Sequence, residues 1–286
     1  MKRRTFLKTS AIAAAGTSIL PMAACNTKKR RIGLQIYSVR NALNRDLEGT
    51  LAAIAGMGYQ LIEHAGYRNG LIYGKRPGEF KRLIDSLGMK LVSGHVGINL
   101  SGREDDWKKV IADNAEAGLE FFVVPSIAGA FRDTPEHLTQ TCHSFNKLGT
   151  LCKEYGMTFG YHNHAHEFTR LGNQLLYDQI VQQTDPDLVT MELDIYWAIK
   201  GKADPVTLFQ QYPGRFKLWH VKDMEAGDEG FFAEVGYGVI DYKTIFQAAS
   251  TAGLEYYFVE QDASRRDPLE SVRMSAEYLK KQDWAG

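Results

Sequence analysis

Eight short runs rich in aliphatic and aromatic side chains recur along the chain, each separated from the next by a segment with helical periodicity. They are RIGLQIY from 31, YQLIEH from 59, KLVSGHV from 90, EFFVVP from 120, MTFGYHNH from 157, LVTMELDIY from 188, FKLWHV from 216 and YYFVEQ from 256. Strands that alternate with helices must run parallel, because each helix has to carry the chain back across a sheet face. Eight such units of roughly 30 residues favour closure into a barrel over an open sheet. The intervening segments carry apolar residues at helical spacing, as in Leu47, Leu51, Ile54 and Ala55, or Trp107, Val110, Ile111 and Ala115. Several of them stop at a glycine just before the next strand: Gly58, Gly88, Gly118, Gly156 and Gly253. The pattern predicts an α/β chain folded as a single-domain (β/α)8 TIM barrel over residues 32–286.

The first residues have a different character. KRRTFLK with paired Arg3 and Arg4, the mildly apolar AIAAAGTSIL, and MAAC ending at Cys25 make a charged region, a short apolar region and a small-residue processing site. This resembles a bacterial twin-arginine export signal with a lipoprotein cleavage box. The expectation is a signal over 1–24, a lipidated Cys25, a tether over 25–31 and a location at the periplasmic face, with membrane contact only through that lipid. The apolar run is well short of the roughly 20 residues a bilayer span needs.

Removing residues 1–24 takes away Lys2, Arg3, Arg4 and Lys8 and no acid, so 34 basic residues become 30 against 34 acidic ones. That balance argues against nucleic acid as a partner. Cys142 and Cys152 fall ten positions apart in one predicted helix. At about 1.5 Å per residue they lie roughly 15 Å apart, too far for a disulfide, and both are expected to be core thiols.

The chemistry sits at the strand ends. His162, His164 and Glu167 crowd into FGYHNHAHEF, and later runs end on Asp194, His220 and Glu260. A parallel barrel presents all its strand C-termini at one mouth, so residues a hundred positions apart can meet there. Strand alternation puts Gly160, His162 and His164 on one face, groups Glu192 with Asp194, and sets Glu260 with Phe258. Imidazole and carboxylate donors suit one divalent ion of the Mn, Zn, Co or Fe kind better than Mg. Glu63, at the end of the second run, and His95, at the end of the third, need polar partners in the lumen or the mouth. Tyr37 and Trp197 can wall a sugar ring, as can Trp219 and Tyr237, although aromatic residues near barrel strands also serve as core.

Taken together, GLQIYSVR at 33, GYHNHAHEF, ELDIYW, LWHVKD, VGYGVID and FVEQD resemble the xylose isomerase-like TIM-barrel family known as sugar phosphate isomerase/epimerases, which includes ketose 3-epimerases and inosose dehydratase. The resemblance implies a divalent ion held by His162, Asp194, His220 and Glu260. His162 stands where the epimerases carry a glutamate, which removes half of a symmetrical proton-transfer pair. Glu167 is a candidate replacement for the missing acid.

The resulting expectation is a metal-dependent sugar isomerase or epimerase-like enzyme. It abstracts a proton beside a carbonyl of a non-phosphorylated sugar or keto sugar, with Glu260 as base and His162 and Lys222 as further catalytic groups. Glu63, His95, His164, Glu167, Trp197 and Tyr37 are the expected substrate contacts. Two alternatives stay open: a β-eliminating lyase or dehydratase acting on a 3-keto-glycoside or inosose, and a non-catalytic carbohydrate-binding barrel. No G-x-G-x-x-G fingerprint follows the first run, so any redox step belongs to a separate sugar oxidoreductase.

Overall fold

The computed structural model describes residues 30–285. The export signal and lipidation site expected over 1–25 lie outside the described residues, as does most of the tether.

Eight parallel strands close into a barrel in which each is bonded to its sequence neighbours and the last returns to the first. They are β1 (Gly33–Gln35), β2 (Leu61–His64), β3 (Lys90–His95), β4 (Phe121–Val124), β5 (Thr158–His162), β6 (Val189–Asp194), β7 (Leu218–Val221) and β8 (Tyr256–Val259). Each lies within one of the eight runs. The helices between them end as the sequence suggests, and all five predicted terminal glycines take positive φ, from 72° at Gly88 to 88° at Gly58. A side chain with a Cβ resists that conformation, which is why glycine stops these helices.

Alternation along the strands divides the apolar residues into two layers. Phe159 and Tyr161 of β5 point outward, their rings 5.2 and 5.0 Å from Phe145 on the helix Pro135–Glu154. That outer layer between barrel and helices holds most of the core. Truncating the fully buried Phe159 to alanine would cost about 3–5 kcal/mol. The inner layer is small: Leu61, Val92, Phe121, Val123, Leu218 and Phe258 plug the barrel floor. Above this plug the inward positions turn polar, with His162, Asp194, His220 and Glu260 all buried.

Three hairpins follow strand ends and build up the mouth. They pair Tyr67–Arg68 with Leu71–Ile72 after β2, Arg170–Leu171 with Gln174–Leu175 after β5, and Asp223–Met224 with Phe232–Ala233 after β7. Cys142 and Cys152 share one helix, buried and unbonded, and burial pushes both thiols up to about 12. Among the described residues no helix is long and apolar enough to cross a membrane.

Candidate metal centre

A cavity of about 490 Å³ opens at the strand C-termini, lined among others by Tyr37, Tyr67, His95, His162, His164, Trp197, Lys222, Glu260 and Asp262. Beneath it two overlapping groups of donor atoms converge, Asp194 with His220 and Glu260, and His95 with His162, Glu192 and His220. Within each group the donor atoms lie no more than 4.8 Å apart. His220 belongs to both. Its Nδ1 is 2.6 Å from Glu260 Oε2 and 4.0 Å from Asp194 Oδ2. His162 joins Asp194 with Nε2 3.6 Å from Oδ2. The four residues expected as ligands therefore converge at the mouth end of the barrel, as parallel strand ends allow.

Does this set fit a divalent ion? In the site as it stands, cations of the protein balance the acids. Lys222 Nζ lies 2.7 Å from Asp194 Oδ2, 2.6 Å from Glu260 Oε2 and 3.0 Å from Asp262 Oδ2. Burial opposes its charge, but Asp194, Glu260 and Asp262 outweigh burial and hold the ammonium protonated. The His220 ring is likewise raised well above its ordinary value, because Glu192, Glu260 and Glu63 overcome the effect of burial. Asp194 Oδ2 is close to the ammonium but makes no hydrogen bond of good geometry, leaving a buried oxygen with unused lone pairs. Burial pushes the Asp194 carboxyl up to about 6 despite the pull of Lys222 and His220. His162, in contrast, is pushed well down by burial and keeps a free imidazole lone pair. A neutral imidazole and two acids neutralised by a stand-in ammonium are what a divalent ion would find useful, so the donors fit one.

Local sequence explains how these groups are held. Glu260 follows β8 and is kept ionised, since Lys222 and His220 overcome its burial. Asp194 ends β6 and its Oδ1 also accepts from Trp197 N at 2.9 Å, capping the helix that presents the Trp197 ring to the cavity. Asp223, the residue after Lys222, accepts from the backbone of Met224 and Ile240 on Oδ1 and of Gly236 and Gly238 on Oδ2. That knot accounts for the pairing of KD with G-x-G-x-I-D. A Cβ on Gly238 would collide with the Asp223 carboxylate and the Met224 carbonyl.

Two of the expected substrate contacts do not line the cavity. Glu63 is fully buried below it, with Oε2 2.5 Å from His220 Nε2 and 2.9 Å from Gln35 Nε2, and Oε1 2.6 Å from Ser93 Oγ. A register shift between Ile62 and Glu63 aims the acid inward at Ser93. Glu167 is also fully buried, because the chain turns into a short 3-10 helix after His164. There it accepts from Tyr161 Oη at 2.5 Å and from the His164 backbone at 2.8 Å, so it does not replace the missing acid. His95, His164, Trp197 and Tyr37 do line the cavity. Buried His164 Nδ1 and Trp197 Nε1 have no hydrogen-bond partner among the described residues.

Asp262, Glu192, Gln35 and Ser93 belong to the site but were not assigned roles from sequence. Asp262 lies two positions beyond Glu260, and that spacing was the available signal.

The family model described as xylose isomerase-like TIM barrel matches residues 51–282. An inosose dehydratase from Geobacillus kaustophilus (strain HTA426) is 24% identical over 271 residues, spanning 80% of this chain and 85% of that protein. One from Lacticaseibacillus casei is 27% identical over 165 residues, 51% of this chain, and the chain spans about half of that relative's length, 55%. A solved sugar phosphate isomerase/epimerase from Parabacteroides distasonis ATCC 8503 superposes with a TM-score of 0.80 at 30% identity, covering 92% of this chain and 98% of that one.

Proposed function

The chain belongs to the xylose isomerase-like TIM-barrel family, and on that premise we propose that it is a metal-dependent lyase that removes a β-hydroxyl or β-alkoxy group from a non-phosphorylated cyclic keto sugar or inosose. The observation that carries this reading is the asymmetry of the cavity. Glu260 follows β8, whereas His95 and His162 end β3 and β5, each three strands away around the barrel. One wall therefore offers a carboxylate and the facing wall offers imidazoles. Epimerisation by two matched carboxylates lacks its second partner, while elimination asks for a base and a different acid.

The steps follow from the groups present. Glu260 takes the proton from the carbon beside the carbonyl, and the electron pair shifts toward the carbonyl oxygen. Lys222, held at the cavity edge, faces that growing negative charge. The enolate then returns its electrons, the bond from the β-carbon to oxygen breaks, and His95 delivers a proton so that the group leaves as water or an alcohol. Burial opposes charge on His95, but Glu63 and Glu192 outweigh it and raise its pKa, which suits an acid. A divalent ion held by His162, Asp194, His220 and Glu260 would supply Lewis-acid stabilisation of the carbonyl oxygen; the mixed imidazole and carboxylate set favours Mn, Zn, Co or Fe. His164 and Trp197, with free ring nitrogens, orient substrate hydroxyls.

The cavity's chemistry supports a neutral sugar. Among the described residues that line the cavity, Lys222 is the one lysine or arginine, and three carboxylates within 3.0 Å already balance its charge, which favours a neutral sugar over a phosphorylated one. The named relatives that are dehydratases support elimination. The Parabacteroides structure, titled an isomerase/epimerase, supports proton abstraction followed by reprotonation as a second reading. A purely binding barrel would have little reason to bury so many charges, which cost stability unless used. Export and lipid anchoring at Cys25 remain part of the proposal, with a separate oxidoreductase supplying the keto sugar.

The test is solvent-deuterium exchange beside the substrate carbonyl. It is expected to need added metal and to vanish in Glu260→Gln; exchange at the parent rate in a metal-loaded Glu260→Gln variant would overturn the assignment of the base.

A further inference from the structure

Below the ion ligands lies a second tier of acid that enters the elimination steps only through its effect on His95. Glu192 Oε2, on β6, is 2.6 Å from His95 Nε2, 3.0 Å from His162 Nδ1 and 3.2 Å from His220 Nε2. Its other oxygen, Oε1, has no hydrogen-bond partner among the described residues, so the carboxylate's contacts are with the three rings. Glu63 meets His220 Nε2 from the far side and is itself fixed by Gln35 and Ser93. Both acids are fully buried and neither reaches the cavity.

The two ligand imidazoles are used at both ends. His162 turns Nε2 toward Asp194 and Nδ1 toward Glu192. His220 turns Nδ1 toward Glu260 and Asp194, and Nε2 toward Glu63. We infer that Glu192 and Glu63 are positioning residues of the metal centre, each accepting the N–H of a ligand histidine on the side away from the ion. A neutral ring has one hydrogen and one lone pair, so fixing the hydrogen on the lower nitrogen leaves the lone pair on the upper one. The acid also locks the ring plane and raises the basicity of the ligating nitrogen. Ser93 and Gln35 extend the chain one step outward by orienting Glu63.

A second ion in the group formed by His95, His162, Glu192 and His220 is the competing use of the same atoms. It would claim His162 Nδ1 and His220 Nε2, and both rings would then have to lose their remaining hydrogen to bridge two ions. The positioning role leaves each ring neutral and is the less demanding one.

This inference rests on the metal reading proposed above but not on elimination, and its test reads no turnover. Metal-free protein is titrated with Co²⁺ against a chromophoric chelator, comparing the parent with Glu192→Gln and Ser93→Ala. Glu192→Gln is expected to bind Co²⁺ about 10–100-fold more weakly, with shifted visible d–d bands, from the known effect of such outer partners. Ser93→Ala removes one hydroxyl two contacts from the ion and is expected to fold normally and lose several-fold, which keeps the test decisive if Glu192→Gln does not fold. Parent-like affinity and spectra in the folded variants would overturn the inference. So would two Co²⁺ per parent chain with one lost in Glu192→Gln. A parent chain that binds no Co²⁺ would instead remove the metal reading on which both rest.

Discussion

Lys222 Nζ lies 2.7 Å from Asp194 Oδ2, an ammonium set against an acid that an incoming ion would claim. Two like charges at such a spacing repel by several kcal/mol even at an effective dielectric constant of about 20. Lys222→Met is therefore expected to bind a divalent ion at least about ten-fold more tightly while losing turnover. Chelator competition and rate measurements on the same preparation check this, and weaker ion binding would contradict it.

His95 and Glu260 are expected to separate the two halves of the reaction. His95→Gln is expected to keep solvent exchange beside the carbonyl but slow loss of the leaving group by about 10²–10⁴-fold, the usual range for a lost general acid. Comparing exchange and product formation by NMR measures both. Equal loss of the two would show that His95 acts before the leaving group departs.

The acid limb of stability is expected to depend on His64. Burial pushes this ring down to about 4, only partly offset by its bond to Asn114. The unfolded ring, with a pKa near 6.5, takes up a proton first. Its contribution is fully present above about pH 6.5 and is lost as pH falls from there toward about 4, reaching about 3 kcal/mol. Urea unfolding at pH 7 and pH 4.5 is expected to show a smaller difference in His64→Gln than in the parent. An unchanged difference would contradict the assignment.

Gly238→Ala is expected to cost about 1–3 kcal/mol through overpacking, because its Cβ would strike Asp223 and the Met224 carbonyl. Thermal unfolding reads the loss. Since Asp223 directly follows Lys222, turnover is expected to fall as well; a variant with parent Tm and rate would show that the loop tolerates the crowding.

The barrel was legible because its strands are buried runs whose ends turn polar, and residues such as Asp194 and His220 declared themselves by standing at those ends. The pairings of the lower tier were not. Glu192 reaches His95 across 97 residues of sequence, and Glu63 reaches His220 across 157. Such pairings depend on which strands face each other around a closed barrel, and on the register shift at Glu63, neither of which one strand's alternation can give. Glu167 misled for a local reason. The 3-10 turn after His164 carries its side chain back against Tyr161, where strand alternation no longer applies. The mouth hairpins were missed because their strands are only two residues long.

Elimination is the central claim, and product analysis tests it most directly. Metal-loaded protein is incubated with an inosose and with a 3-keto-glycoside in deuterated water and followed by NMR. The account predicts metal-dependent loss of the β-substituent, as water or the free alcohol, with an unsaturated ketone or its diketone tautomer appearing and no epimer accumulating. An epimer or an aldose–ketose pair, formed with the β-substituent retained, would contradict it.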